Sequence, residues 1–173
     1  MSVIPMFRKQ AGNVLLSLLA SAAYLFFGLV LLTLAYFVYC EARKAYWDRQ
    51  VKQMCEKDGG VRVYEKEKIS RELYKQLGGQ QGEIPIYSKS STSIDAPYFT
   101  EERTSYLHEK DPQVRRSETR YMKMQNNKTL AIYVYYARVG GDFPTFAHPS
   151  SQGCLFPKDG LTKQFIQIEG ETK

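Results

Sequence analysis

The feature that most constrains this chain is a run of 31 residues without a charged side chain, between Lys9 and Glu41. Its inner part, the 27 residues Val14–Cys40, is apolar apart from small Ser, Thr and Gly. A membrane-spanning helix needs about 20 such residues, and a helix rises about 1.5 Å per residue, so this stretch reaches roughly 40 Å. We therefore expect a short tail at 1–12 followed by one transmembrane helix at 13–40.

A cleaved signal peptide is the competing interpretation of the same stretch. Ala20-Ser21-Ala22 has the small-x-small form that signal peptidase accepts after a short apolar run. The segment Leu25–Val38 continues just as apolar beyond that point, however, which a mature N-terminus would not. The pattern therefore favours a retained single-pass anchor.

The rest of the chain has the composition of a soluble domain, because residues 41–173 hold all 18 acids and 22 of the 24 Lys and Arg. Helical composition continues through 41–57, where apolar side chains recur at i, i+4, i+7 and i+8: Trp47, Val51, Met54 and Cys55. Asp58-Gly59-Gly60 then favours a helix stop and a turn. These patterns predict a juxtamembrane stalk helix at 41–57 and a small domain at 58–173.

The small domain shows strand and turn patterns along most of its length. Its strongest signal is a hairpin of Val114–Met124 and Leu130–Val139 around the turn-forming Gln125–Thr129. The second strand is apolar or aromatic on both faces, which predicts a central strand, whereas the more polar first strand suits an edge or a solvent face. Shorter patterns predict strands at Val61–Tyr64, Ile84–Tyr87 and Gln164–Ile168 and a helix at Ser70–Leu77, while Tyr98–Gln113 has no clear period. The expected fold class is α+β, built on an antiparallel sheet.

Residues that carry catalysis or bind metals are sparse. The two histidines, His108 and His148, are 40 positions apart, and no CxxC, HExxH, Walker or G-x-S-x-G pattern occurs. Asp142, His148 and Ser150 or Ser151 would make a hydrolase set, but such residues within one Pro-rich loop are expected by chance. We therefore predict no catalytic, cofactor-binding or metal site and no enzyme activity.

The basic character of the chain does not predict nucleic-acid binding. Residues 41–173 carry a surplus of only four positive charges, and Glu118 interrupts the basic residues of the hairpin. Basic side chains between tyrosines can bind single strands, but here a solvated sheet face beside a membrane anchor explains them better. The bilayer is the expected partner, and nucleic acid is not.

Charge alone leaves the orientation of the domain open. Counting Lys and Arg near the span favours a cytoplasmic domain, yet long domains translocate largely regardless of charge. Cys55 and Cys154 are the two cysteines outside the apolar stretch. They are either one disulfide in an oxidising compartment or two unrelated thiols, and the even number favours an extracytoplasmic domain.

Two blocks of the domain resemble a set of small uncharacterised proteobacterial envelope proteins. The first block is Cys55–Glu65, of the form C-x-K-D-G-G-x-x-V-Y-E, and the second is Arg138–Cys154, of the form R-x-G-G-D-F-P…H-P-S-S-x-x-C. Such proteins begin with a membrane anchor or a lipoprotein signal. The resemblance implies an envelope location and a Cys55–Cys154 pairing, and nothing about catalysis. That pairing is expected to bring the Asp58 and Asp142 turns together at one end of the sheet.

The functional expectation is a single-pass protein of the bacterial inner membrane whose periplasmic domain binds other envelope proteins, as an accessory subunit of a larger assembly. A rigid loop from Asp142 to Ser151 would present Phe143, Phe146 and His148 to a partner. Two alternatives stay open. One is a membrane-tethered enzyme that uses the Asp142–His148 loop, and the other is a tethered cytoplasmic domain that binds acidic partners.

Overall fold

The computed structural model describes residues 4–91, 96–144, 148–157 and 160–170, with side chains from residue 16 onward. Within these ranges the chain forms two α-helices, seven strands and one 3-10 turn. Their bounds are α1 (Ile4–Asp58), β1 (Gly60–Val63), β2 (Glu67–Ile69), α2 (Arg71–Gln76), β3 (Tyr98–His108), β4 (Gln113–Lys123), β5 (Thr129–Val139), β6 (Ser151–Gly153), the 3-10 turn (Thr162–Gln164) and β7 (Ile166–Ile168).

The chain divides into two compact units, Met1–Arg43 and Lys44–Lys173. The first unit is the N-terminal part of α1, which is long and apolar enough to cross a membrane. Its large apolar side chains lie exposed, as Tyr24 at 80% and Leu25 at 76% illustrate. Exposed apolar side chains along a whole helix suit a lipid environment and not water.

The second unit is built on an antiparallel sheet in the order β1-β5-β4-β3, with β6 also pairing with β5. The strand β5 is central, because β4 pairs along its length on one side while β1 and β6 share the other side. It pairs with β1 at residues 131–134 and with β6 at residues 137–139. The central strand and the α+β class are therefore confirmed.

Residues 44–58 of α1 lie against one face of this sheet. Val51 is 1% exposed and packs against Val114, Val134 and Tyr136, with Trp47 and Met54 beside them. The apolar stripe of the stalk sequence thus becomes the contact surface of the helix. Burying a side chain of this size contributes about 1.5–3 kcal/mol.

A second core lies near the other end of the sheet. There β2 and β7 form a separate parallel pair, and α2 follows β2 with Ser70 as its N-cap, the Leu73 amide donating to Ser70 Oγ at 3.2 Å. Phe165 is fully buried at the centre of this core. It lies 5.0 Å from the ring of Tyr121. This core packs against the face of the sheet opposite to the face that the helix covers.

One strand prediction was wrong, and the structure specifies two others. The predicted strand Ile84–Tyr87 is not a strand, because the Ile84 amide donates to Thr162 Oγ1 at 3.2 Å and Ile84 is buried in the second core. Of the two alternatives for β4, the edge position is excluded because Tyr98–His108 forms an eleven-residue strand beside it. The solvent face remains, since Arg115 and Arg120 of β4 are exposed. The predicted last strand is present as β7 within Gln164–Ile168, and it pairs with β2.

Candidate functional site

One end of the helix segment 44–58 is held by a covalent bond. Cys55 and Cys154 form a disulfide across 99 positions of sequence. The following residue Gly59 lies so close that a Cβ there would stand 2.7 Å from the Cys55 carbonyl oxygen and 3.2 Å from Cys154 Sγ. Glycine is therefore required at the point where the helix gives way to β1. We call this the disulfide end of the domain.

Asp58, the last residue of α1, is the centre of a polar network at the disulfide end. Tyr136 donates its hydroxyl to Asp58 Oδ2 at 2.8 Å, Arg116 Nη2 lies 3.6 Å from the same oxygen, and Arg62 pairs with Oδ1. The hydrogen bond from Tyr136 lowers the pKa of Asp58 most, and the two arginines lower it further against the effect of burial. The charged form of Asp58 is thus part of the folded structure.

The other end of the same helix segment is held by non-covalent contacts, several of them polar. Lys44 Nζ lies 3.3 Å from Asp142 Oδ1. Ser150 donates its amide to Asp142 Oδ2 at 2.7 Å and its hydroxyl to Oδ1 at 2.8 Å. Burial raises the pKa of Asp142, but the bonds from Ser150 and Lys44 outweigh it and the pKa is lowered. Asp142 therefore joins Ser150 to the helix through Lys44.

Arg138 is the buried charge at this end. Only 2% of the residue is exposed, although it lies on the apolar central strand. Its Nε donates to Asp48 Oδ1 at 2.5 Å, Nη1 donates to the Gly140 carbonyl, and both Nη atoms lie 3.3 Å from Ser150 Oγ. One guanidinium thus joins the helix, the end of β5 and the loop. A planar group with five donors suits such a position better than lysine would.

The turn between β3 and β4 completes this end. Asp111 Oδ1 accepts the Gly141 amide at 2.7 Å, and His108 Nδ1 lies 2.7 Å from the Pro112 carbonyl oxygen. The His108 ring lies 4.7 Å from the ring of Trp47 on the helix. A Cβ at Gly140, which has φ +83°, would stand 2.3 Å from Asp111 Oδ1. The helix residues 44–48, the end of β3 with its following turn (residues 108–112), and residues 138–142 with Ser150 are thus joined by these contacts, and we call this arrangement the junction.

The structure separates the two aspartate turns that the sequence was expected to bring together. Asp142 contacts Lys44 and Asp58 contacts Tyr136. The two helix positions are 14 residues apart, or about 21 Å at 1.5 Å per residue. The expectation was wrong because β6 carries the chain back along β5 between the loop and Cys154, so the disulfide and the loop meet different parts of the helix.

The predicted partner-binding loop is only partly available to a partner. Asp142 is engaged within the domain, Phe143 is half-buried, and His148 is exposed. Phe146 lies outside the described residues. Among the predicted residues whose placement is described, His148 is thus the one best positioned to meet another molecule.

The arrangement at the junction is suited to holding the fold and poorly suited to catalysis. Both carboxylate oxygens of Asp142 accept hydrogen bonds, and its lowered pKa leaves it a weak proton acceptor at neutral pH. Two open depressions lie away from the junction. One of about 570 Å³ lies along β3 and β4, and one of about 970 Å³ lies near residues 76–87. Among the described residues, no group of three His, Cys, Asp or Glu side chains is placed to hold a metal ion.

Sequence reasoning missed Arg138, Asp48 and Asp111 as members of the junction. One signal was present, because Arg138 is the single charged residue of an otherwise apolar strand. A buried charge in such a place requires partners. The identity of those partners depends on tertiary placement, which no local pattern in the sequence records.

Comparison with family models, with curated proteins and with solved structures found no match for the chain.

Proposed function

We propose that this chain is a single-pass protein of the bacterial inner membrane that displays its domain in the periplasm and acts by binding other envelope proteins. The observation that carries the proposal is the attachment of a disulfide-closed domain directly to a helix apolar enough to cross a membrane. Neither feature alone is sufficient. Together they are typical of a protein that is anchored in a membrane and folds in an oxidising compartment.

The disulfide supports the periplasmic side of the membrane. Thiols are kept reduced in the bacterial cytosol, whereas disulfides persist in the periplasm. Closing a loop of 99 positions restricts the unfolded chain by about 4–5 kcal/mol. A domain with this small a core gains much of its stability from such a bond. The resemblance of the two cysteine-containing blocks to envelope proteins points in the same direction.

An interaction role is favoured over an enzymatic one because the charged side chains of the domain are engaged in contacts within the protein itself. Asp58, Asp142 and Arg138 are buried or half-buried charged groups at the two ends of the helix segment, and each contacts several groups of the protein itself. A catalytic group needs an approach for substrate. These side chains instead fix the helix, the sheet and the loop against one another, as in a rigid display domain.

Orientation and redox state are tested together. Fusions of alkaline phosphatase and of a fluorescent protein to the C-terminus report the side of the membrane, and peptide mapping without reductant reports the pairing of Cys55 and Cys154. We expect phosphatase activity, no fluorescence and a linked peptide. If instead the fluorescent fusion is active in cells and both cysteines react with an alkylating reagent, the result would support the tethered cytoplasmic domain.

The interaction role is tested by crosslinking in intact cells, with the anchor helix kept in the chain. His148→Ala removes the exposed side chain of the predicted loop, and Lys163→Ala is a matched exposed substitution outside it. We expect a crosslinked envelope protein that the first variant weakens and the second does not. Crosslinking that is unchanged by His148→Ala would remove the loop from the proposed partner surface.

A further inference from the structure

The strand β3 forms the outer edge of the main sheet, as the last strand in the order β1-β5-β4-β3. It has eleven residues, of which residues 101–107 are exposed. Proteins usually keep such an edge short, place Lys or Pro on it, or cover it, because its backbone groups can pair with another chain. The strand Tyr98–His108 contains neither Lys nor Pro. Its central part is therefore open to a further strand.

The chain itself covers only the beginning of this edge. The Thr100 amide donates to the Tyr87 carbonyl at 2.8 Å, and the Lys89 amide donates to the Thr100 carbonyl at 3.1 Å. A turn in which the Ser91 amide donates to the Ser88 carbonyl then ends this pairing. One residue of β3 thus already makes the two outward bonds that an added strand would make.

The direction of the other backbone groups follows from this pairing. Since Thr100 turns its amide and carbonyl outward, the residues at even positions after it do the same, while those at odd positions bond to β4. The outward residues are Glu102, Thr104 and Tyr106, before the irregularity that separates Tyr106 from His108. Within the described part of the chain, no strand pairs with the outer side of these three residues. An alternating row of donors and acceptors is complementary to an extended backbone.

The depression of about 570 Å³ beside this edge indicates which side chain such a backbone would carry. Three basic and three acidic residues line it: Lys89, Arg103, Arg120, Glu101, Glu102 and Glu118. Glu118 already accepts from Arg120 at 2.9 Å, and the alternation along β3 directs Glu102 to the opposite face of the sheet. Two basic residues and one acidic residue are left, which favours an acidic side chain beside Arg103.

We propose that the outer edge of β3, at residues 102–106, binds an extended segment of a partner protein by adding it to the sheet as a strand, with an acidic side chain of that segment beside Arg103. The backbone pairing supplies the affinity, and the charge supplies the selectivity. This inference rests on the proposed role in binding envelope proteins. It assigns a binding surface whose residues are different from those of the loop that contains His148.

One outward amide can be removed without touching the bonds to β4. Thr104→Pro removes an outward N–H, and an edge strand accepts proline where that N–H faces solvent. Thr104→Val is the matched control, because both variants lose the hydroxyl contact with Ser117 at 3.2 Å and only the first loses the amide. A random heptapeptide library displayed on phage is selected on the full-length protein in nanodiscs, and enriched peptides are synthesised and titrated.

We expect enriched peptides to bind about tenfold more weakly to Thr104→Pro and within about twofold to Thr104→Val. In the unsubstituted protein, bound peptide should slow hydrogen exchange by about tenfold at the amides of Glu102, Thr104 and Tyr106, and by less at Arg103 and Ser105. This measurement stays decisive if Thr104→Pro does not fold. Exchange rates that bound peptide leaves unchanged at the three outward amides would overturn the inference, and so would a library that yields no enriched peptide.

The acidic side chain is tested from both partners. Arg103→Gln should weaken an enriched acidic peptide by about tenfold, whereas Arg115→Gln, at an exposed arginine of β4, should change its binding by less than about twofold. Replacing the acid of the peptide by its amide should cause the same loss, and Arg103→Gln should then add nothing. Equal losses with the two arginine variants would overturn the proposed recognition.

Two further measurements separate this inference from its alternatives. Protein that sediments as a dimer in detergent, and as a monomer after Thr104→Pro, would assign the edge to a second copy of the chain and overturn the inference. A crosslinked envelope protein in cells that Thr104→Pro leaves unchanged would keep the proposed interaction role and overturn the edge alone. Peptides that bind at the edge as expected, without any crosslinked envelope protein, would instead contradict the proposed role. Peptide mapping of the Cys55–Cys154 bond verifies that each variant has kept its fold.

Discussion

The two ends of the helix segment 44–58 are attached to the same sheet by different chemistry. At the disulfide end, one covalent bond fixes Cys55 to Cys154, and a polar network around Asp58 lies beside it. At the junction, the attachment consists of the buried Arg138 and the half-buried Asp142 with their hydrogen bonds. The first attachment depends on redox conditions and the second on charge.

This difference shows how a small domain can hold one helix segment at both of its ends by different means. A disulfide acts mainly by restricting the unfolded chain, whereas a buried charge network fixes one geometry of the native state. The junction is the end nearer to the apolar stretch along the chain, and there the domain has a network of directional contacts. Each end is expected to fail under a condition that leaves the other intact.

The largest expected effect is the loss of the disulfide. Cys154→Ser removes the bond with little change in side-chain volume, and we expect the free energy of unfolding to fall by about 4–5 kcal/mol. Urea denaturation of the full-length protein in detergent measures it. The double variant Cys55→Ser/Cys154→Ser should lose no more than about 1 kcal/mol beyond the single variant, because the bond is already absent. An unfolding transition that reductant does not move would contradict this prediction.

The next largest effect is expected at the junction. Arg138→Met keeps the length of the side chain but leaves Asp48 and the Gly140 carbonyl without their donor, which should cost about 2–3 kcal/mol. The exposed Arg115→Met on the neighbouring strand is the matched control and should change stability by less than about 0.5 kcal/mol.

Redox conditions sharpen the contrast between Arg138→Met and the loss of the disulfide. Arg138 and the cysteines share no contact, so the cost of Arg138→Met should be the same with and without reductant. Costs that differ by more than about 1 kcal/mol would mean that the two ends of the helix segment act as one unit.

Much of the fold could be predicted from the sequence, since its signals are local. The α+β class, the hairpin and the centrality of β5 follow from apolar periodicity on Leu130–Val139 and from turn residues. The strand β3 could not be predicted, because Glu101 to Leu107 are exposed on both faces and show no alternation. Its strand conformation depends on pairing with β4, which is a tertiary contact.

The junction shows a different limit of sequence reasoning. Asp142 and the two glycines before it were visible as a turn, but their partners Lys44 and Asp111 are 98 and 30 positions away. Nothing in the spacing distinguishes a carboxylate that binds a partner protein from one that closes its own loop. The structure makes that distinction through the two hydrogen bonds from Ser150.

A smaller effect is expected from Asp142. Asp142→Asn replaces one carboxylate oxygen by an NH₂ group that faces donors, so we expect a loss of about 1–2 kcal/mol at neutral pH. Ser150→Ala removes the hydroxyl from the same contact, and the double variant should show a coupling of about 0.5–1 kcal/mol. Independent, strictly additive losses would mean that the loop is closed by other contacts.

The smallest expected effect concerns Asp58 at the disulfide end, where it tests the polar network apart from the covalent bond. The hydrogen bond from Tyr136 and the charges of Arg62 and Arg116 lower the pKa of Asp58. A lowered folded-state pKa contributes stability above the unfolded value of about 4, and this stability is lost as the pH falls through the folded-state value. Because Asp58 is partly exposed, Asp58→Asn should cost less than about 1 kcal/mol at pH 7.

The pH dependence distinguishes this network from general acid unfolding, to which Asp142 and Glu118, whose pKa values are also lowered, contribute. The difference between Asp58→Asn and the unsubstituted protein should be constant well above the unfolded pKa of about 4 and shrink towards zero as the pH falls through the lower folded-state pKa. In a Tyr136→Phe background, which removes the donor to Asp58, the difference should already be smaller at pH 7. A difference that persists unchanged at low pH would show that Asp58 acts through its shape and not through its charge. The charge of Asp58 would then contribute nothing to the disulfide end, and the Cys55–Cys154 bond would be the attachment demonstrated there.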